Sequence, residues 1–239
     1  MFKFFKKIIE IIFPNSCISC NEIISLDGLL CAKCFAKIKF ICDPKCQICS
    51  YPFEIEIKHL PPFCGKCLAK KPYYDKALAI YQYNEIIAKA VGALKYSDQT
   101  FLAKKFAQIL FKNFKDEINN CDIICAVPLH KKRLRQRKFN QAALIAKFLD
   151  KKKFIPDLLF RLVNTASQVR LKREERERNL KKAFLTNKKY KNFIKDKTVL
   201  LVDDVATTGA TINNCAKALK KSGAKKVVVL TIAKTVFDH

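Results

Sequence analysis

The first chemistry in this sequence is carried by two adjacent acids and a cluster of hydroxyls around one glycine. In VLLVDDVATTGATI, residues 199–212, four apolar residues run into Asp203 and Asp204, followed by Thr207, Thr208, Gly209 and Thr211. A helix starting near Thr211 turns its free backbone N–H groups toward the preceding loop. The threonine hydroxyls add donors, and Gly209 lets the backbone come close, so the segment is a cradle for a phosphate monoester. Two carboxylates beside a phosphate would repel it unless they face something else. A ribose diol, or a Mg²⁺ ion holding a polyphosphate, suits them. The implied ligand is a sugar with a 5-phosphate at one end and hydroxyls in the middle. Neither G-x-x-x-x-G-K-[ST] nor G-x-G-x-x-G after a strand occurs, which excludes the commonest nucleotide-binding loops.

The second chemistry is thiolate coordination. Of 12 cysteines, eight form C-x-x-C pairs before residue 70: Cys17/Cys20, Cys31/Cys34, Cys46/Cys49 and Cys64/Cys67. Each pair is a knuckle that aims two sulfurs at one centre, and two knuckles close a tetrahedral Zn²⁺ site. The simplest pairing is sequential, 17/20 with 31/34 and 46/49 with 64/67, while an interleaved pairing stays open. With four cysteine ligands per site no position is left for catalysis, so the metal is structural, and a region this small needs it to fold. Cys42 falls between knuckles and is spare.

The third feature is charge. Lys and Arg number 47 against 21 Asp and Glu, a formal net charge of +26, which draws polyanions. KKRLRQRK concentrates it: Lys131, Lys132, Arg133, Arg135, Arg137 and Lys138 are six basic residues in eight. Such a cluster fits a pyrophosphate leaving group or a nucleic-acid backbone, whereas a solvated helix face does not require that density. Base stacking would fall to Tyr73, Tyr74, Tyr81, Tyr83, Tyr96 or Phe139, most of which the pattern assigns to the core.

These groups need a scaffold. No apolar run is long enough to span a bilayer. The opening MFKFFKKIIEIIFP lacks a small-residue cleavage site and reads as an amphipathic helix on a cytoplasmic protein, with Phe2, Phe5, Ile9 and Ile12 near one face. It packs on its own protein in this reading, with membrane-surface contact through Lys3, Lys6 and Lys7 as the alternative. From about residue 72 strand and helix patterns alternate. KALAIYQY, CDIICAV, FIPDLLFRLV, KTVLLVDDV and KKVVVLTIAKTV read as strands, and the segments between them show helical periodicity or dense charge. The expected fold class is α/β, a mostly parallel sheet with flanking helices, preceded by a small Cys-rich zinc-ribbon module. The expected division is 1–70 for the N-terminal helix and double ribbon and 71–239 for the α/β domain. In an open parallel sheet, ligands bind beyond the carboxyl ends of the strands, where Asp203 and Asp204 are expected.

The run VLLVDDVATTGATI resembles the phosphoribosyl-pyrophosphate loop of type I phosphoribosyltransferases. Nearly the whole chain resembles the ComF family, which joins an N-terminal zinc ribbon to that transferase fold. The likeness rests on the knuckles, ALKYSD, AVPLHKKRLRQRKFNQA, QVRLKREERERN and VLLVDDVATTGAT. It implies catalytic roles for Asp203 and Asp204 and a phosphoribosyl-pyrophosphate loop of Val205, Ala206, Thr207, Thr208, Gly209, Ala210 and Thr211. Pro128, Leu129, His130, Arg133, Arg137 and Lys138 would border the pyrophosphate, and Gln168, Arg170, Arg173, Arg176 and Asn179 would form a flexible hood. Phosphoribosyl pyrophosphate with Mg²⁺ is the implied ligand. The implied role is DNA uptake in natural transformation, with single-stranded DNA and competence helicase or translocation-channel proteins as partners. Two classes of function follow: a phosphoribosyltransferase, or a non-catalytic nucleic-acid-binding or docking protein that keeps the fold. One position departs from the family pattern. Where relatives carry R-G-F-N-Q, this chain has Arg137, Lys138, Phe139, Asn140 and Gln141, so a lysine must meet whatever backbone geometry the glycine served.

Overall fold

The computed structural model describes residues 16–24, 28–55, 62–96, 100–162 and 183–236. The expected N-terminal helix and the expected hood residues Gln168, Arg170, Arg173, Arg176 and Asn179 lie outside the described residues.

The cysteine-rich region is a tandem of two similar units. In the first, Cys17 N–H donates to the Glu22 carbonyl and Asn21 N–H to the Cys17 carbonyl, with Asn21 at φ 62°. In the second, Cys46 N–H donates to Tyr51 and Ser50 N–H to Cys46, with Ser50 at φ 56°. The residue after each first knuckle therefore turns left-handed, which brings the two sulfurs round to one side. Each second knuckle opens a short helix, α1 (Ala32–Phe35) or α2 (Gly65–Ala69), with Cys31 or Cys64 at its N-cap. The repeat is invisible outside the cysteines because it lies in backbone hydrogen bonds that many residue types can make.

The α/β domain begins with β1 (Lys76–Gln82), then α3 (Glu85–Tyr96), α4 (Phe101–Asn113) and the short α5 (Lys115–Asn119). It continues with β2 (Ile123–Ala126), α6 (Lys131–Arg137), α7 (Gln141–Leu149), β3 (Leu159–Arg161), β4 (Phe184–Thr186) and α8 (Lys191–Ile194). β5 (Thr198–Ala206), α9 (Ala210–Lys221) and β6 (Lys226–Lys234) complete it. The main sheet has the order β1-β6-β5-β2, and every pair is parallel. Its central strands are buried on both faces, which is why KTVLLV and VVVLTIA are near-continuous apolar runs. Leu200 and Val202 pack with Leu94, Leu102 and Ile145 on the face covered by α3, α4 and α7. Val199 and Leu201 pack with Cys215, Leu219 and Phe184 on the face covered by α9 and the β3–β4 pair.

FIPDLLFRLV touches the main sheet only at its start, where Phe154 forms an isolated parallel bridge to Ile124 of β2 and Ile155 N–H donates to the Ile124 carbonyl at 2.9 Å. Its later part, Leu159–Arg161, pairs antiparallel with Phe184–Thr186 in a separate two-stranded ribbon. Pro156 precedes it, and the exposed Phe160 and Leu162 show that one side of it meets solvent.

β1 is an edge strand, and the zinc-ribbon region covers its open side. Ile41 N–H donates to Ile80 (2.8 Å), Gln82 N–H to Lys39 (2.8 Å) and Ala77 N–H to Ile48 (2.7 Å). Ser50 Oγ donates to the Ala77 carbonyl at 2.6 Å, and the Phe40 and Tyr81 rings meet at 5.3 Å. An uncovered edge would offer its amides to another chain, and here the ribbons use them up.

Replacing Cys46 and Cys49 with serine is expected to reduce bound zinc from two ions per chain to one and to lower Tm. Zinc content by atomic emission and a thermal melt check both, and a melt equal to wild type would show that the second ribbon contributes nothing to the β1 edge.

Candidate functional site

The site is built on the end of β5. The strand does not stop at the acids but runs two residues beyond them, to Ala206. Successive side chains of a strand point to opposite faces, so the pair cannot act as a clamp aimed in one direction. Asp204 follows Leu200 and Val202 to the α3 face, where its carboxylate pairs with Lys95 Nζ at 2.7 Å, the two side chains 15% and 22% exposed. Asp203 follows Val199 and Leu201 to the α9 face, within electrostatic reach of Arg161 in β3 and Cys215 in α9. Its Oδ1 accepts from Asp204 N–H at 2.9 Å. Burial, and then the Asp204 charge, push the Asp203 carboxyl well above the ordinary carboxylate range. Burial, and then the nearby Arg133 charge, hold Arg161 below its usual value. The acid pair thus has one cation on each side of the sheet.

Gly209 takes φ 76°, ψ −4° as the N-cap of α9. A side chain would meet nothing there, so the requirement is conformational rather than spatial. Thr208 Oγ1 accepts from Ala210 N–H at 3.4 Å. The amides of Thr207, Thr208 and Gly209 make no hydrogen bond among the described residues. Thr207 and Thr208 are exposed, and α9 begins at Ala210, one residue before its expected start. The loop is therefore a set of unengaged donors at a helix N-terminus, the arrangement that binds a phosphate.

β2 neighbours β5, so the turn after Val127 opens at the same end of the sheet. Pro128, Leu129 and His130 form it, all half-buried. His130 caps α6, its Nδ1 accepting from Lys132 N–H at 3.3 Å. Arg133, Arg135 and Arg137 lie on α6, and Lys138 caps its C-terminus at φ 63°. Lys138, which stands where the family pattern was expected to have glycine, takes the left-handed conformation, at a cost of about 1–2 kcal/mol for a lysine. Asn140 then ties the turn together: its Nδ2 donates to the Val127 carbonyl (3.0 Å) and its Oδ1 accepts from Ala143 N–H (3.3 Å), capping α7. Gln141 is buried, accepts from Arg137 at 3.4 Å, and has an Nε2 with no partner among the described residues. A buried donor left open beside a basic loop fits an oxygen-rich ligand.

Both metal centres form. Cys17, Cys20, Cys31 and Cys34 converge, as do Cys46, Cys49, Cys64 and Cys67, the sulfurs of each group within 4.8 Å of one another. The Cys20–Cys31 and Cys49–Cys64 sulfur distances are 3.6 Å, against about 3.8 Å for a regular tetrahedron of Zn–S bonds. The pairing is sequential, and Cys42 is exposed and belongs to neither group. A cavity of about 340 Å³ separates the second group from the loop at Thr207–Gly209.

Sequence reasoning missed three residues. Lys95 sits in ALKYSD, whose resemblance was visible but whose contact with Asp204 was not. Arg161 looked like an ordinary strand residue. Gln141 was quoted in the motif without a role. Of the candidate stacking residues, Tyr81 is buried, Tyr74 and Phe139 are half-buried, and Tyr73 and Tyr83 are exposed.

Residues 8–68 match the double zinc ribbon domain and residues 144–235 the phosphoribosyl transferase domain. The chain is 32% identical over 232 residues to Competence protein F of Haemophilus influenzae, covering 93% of this chain and 98% of that protein. The chain belongs to the ComF family. Two further relatives of this ComF chain are the DNA utilization protein YhgH of Escherichia coli K12 and Competence protein ComFC of Bacillus subtilis. The first is 27% identical, covering 93% of this chain and 98% of the relative; the second is 26% identical, covering 82% and 80%. No helix among the described residues is long and apolar enough to cross a membrane.

Two substitutions probe the acid pair. Lys95→Met strands a half-buried carboxylate and is expected to cost about 1–3 kcal/mol in chemical denaturation, most of it recovered in Lys95→Met/Asp204→Asn. Asp203 has a raised native value, so the folded state holds its proton more tightly than the unfolded chain. Stability is therefore full near pH 4, roughly the unfolded value, and falls as pH rises through the native value. Asp203→Asn removes that fall. Its Tm is expected to exceed that of wild type at neutral pH, by about 2–4 °C for each kcal/mol regained.

Proposed function

We propose that this ComF protein binds phosphoribosyl pyrophosphate with Mg²⁺ at the acid pair and threonine loop, and that it acts in the cytoplasm in DNA uptake, handling single-stranded DNA. The observation that carries the reading is the sequence of groups along one strand end. Asp203 and Asp204 in β5 are followed by three unengaged loop amides, and the Arg137–Gln141 turn opens beside them after β2. The loop amides and the Thr207, Thr208 and Thr211 hydroxyls hold the 5-phosphate. Asp203 and Asp204, on opposite faces of β5, bracket the ribose hydroxyls from two sides, and their hard oxygen donors fit Mg²⁺, which would neutralise charge developing on the pyrophosphate. Arg133, Arg137 and the open Gln141 Nε2 receive the pyrophosphate oxygens. The raised Asp203 carboxyl supports this reading, since a bound cation relieves the repulsion from Asp204.

The names of the relatives, two of them competence proteins and one a DNA utilization protein, support the DNA-uptake role. So does the net charge of +26. A second reading, a binding protein that does not catalyse transfer, is favoured by the Lys95–Asp204 pair, because an internal cation already neutralises one acid.

Isothermal titration with phosphoribosyl pyrophosphate and Mg²⁺ tests the pocket. Heat from wild type and none from Asp203→Ala/Asp204→Ala is expected. Equal heat from both, or none from wild type, removes the proposal. Pyrophosphate release over a panel of nucleobases then separates the transferase from the binding protein.

A further inference from the structure

The α6 cluster was the expected path for nucleic acid, yet the structure offers a second basic surface with an aromatic in it. Helix α9 and the second zinc ribbon meet along a seam. Tyr73 lies on it, 44% exposed, its backbone N–H donating to Asn213 Oδ1 of α9 at 2.6 Å. Lys217 Nζ sits 4.7 Å from the centre of the Tyr73 ring. A hydrogen bond from Lys217, and then the charges of Lys217, Lys221 and Lys70, pull the Tyr73 hydroxyl below its ordinary value, so cations from both the ribbon and the helix act at this exposed residue. Asp75, the acid nearest in sequence, is held by Lys220 at 2.8 Å and accepts from Val227 N–H.

Behind the seam lies the cavity of about 340 Å³. Tyr74, Ala77 and Ile212 give it an apolar interior, Lys66 and Lys70 stand on the ribbon side, and Thr207–Gly209 close the far wall. Its size falls in the range of small-ligand sites. Lys234 Nζ donates to the Cys49 carbonyl at 2.7 Å, which ties the metal-bearing wall to the end of β6. A largely apolar cavity with Lys66 and Lys70 in its lining and an exposed tyrosine nearby suits single-stranded nucleic acid: bases stack or insert, and phosphates track the cations.

We infer that the seam between the second zinc ribbon and α9 carries single-stranded nucleic acid, with one base entering the cavity, phosphates on Lys66, Lys70 and Lys217, and a neighbouring base on Tyr73. The inference rests on the nucleic-acid part of the proposed function and moves the main contact away from α6. It also gives the ribbon a role besides folding, since its second half forms one wall of the site.

Fluorescence anisotropy of a labelled oligothymidine with the full zinc-loaded chain, over a series of salt concentrations, tests it. Tyr73→Ala is expected to weaken binding about tenfold and Tyr73→Phe to leave it unchanged. Lys70→Glu/Lys217→Glu is expected to flatten the slope of log affinity against log salt by about 0.7 for each lost phosphate contact. Zinc content and thermal melts establish that the variants are folded, and Arg133→Glu/Arg135→Glu reports on α6. Loss confined to the α6 variant overturns the seam while leaving the DNA-handling proposal standing. No loss in any variant overturns both. Thymidine monophosphate binding as tightly as the oligomer, or a duplex binding more tightly, overturns the assignment to a single strand.

Discussion

Two neighbouring carboxylates on a central parallel strand have to point to opposite faces, and each then sits at the margin of a hydrophobic layer. That constraint organises the end of this sheet. Asp204 meets Lys95 from α3, and Asp203 lies within reach of Arg161 from the β3–β4 ribbon. Neither cation belongs to the loop that follows the acids, so both layers of helices and the accessory ribbon have to be in place before the pair is tolerable. Burial still leaves Asp203 reluctant to ionise. Under the proposed function, that acid is held for a cation or a polyol rather than for the fold alone.

The zinc ribbons depend on the same sheet from its other end. β1 would be an exposed parallel edge, and the ribbon region occupies its hydrogen-bonding groups at Ala77, Ile80 and Gln82. The metal sites fix the turns that present Ile48 and Ser50 to that edge, so zinc, ribbon and sheet form one structural chain of dependence. The cavity beside Thr207–Gly209 exists because the second ribbon stands over β1 and β6 at the place where α9 begins.

Much of this was legible in the sequence, for reasons that differ by element. The knuckles were readable because zinc demands a fixed spacing, although only the structure chose sequential over interleaved pairing. The strands KTVLLV and VVVLTIA were readable because burial on both faces leaves an apolar run. The loop was readable because Gly209 and its threonines have few other uses. FIPDLLFRLV misled because a short half-exposed hairpin arm and a core strand share the same composition over three residues. Lys95 and Arg161 were unreadable as site residues: each meets its acid from far along the chain, on a different element, and leaves no spacing to detect. Lys138 shows the converse: the sequence flagged the position, and the structure shows that the lysine takes the left-handed turn itself.

The proposed function makes Asp203 a half-buried, charge-opposed acid that a cation-bearing sugar phosphate would relieve. Carbon-13 NMR titration of the aspartate carboxyls, with Asp203→Asn for assignment, measures this directly. The account predicts that Asp203 titrates well above the ordinary carboxylate range in the free protein and falls when Mg²⁺ and phosphoribosyl pyrophosphate are added. An Asp203 that titrates in the ordinary range, unmoved by either addition, would contradict it.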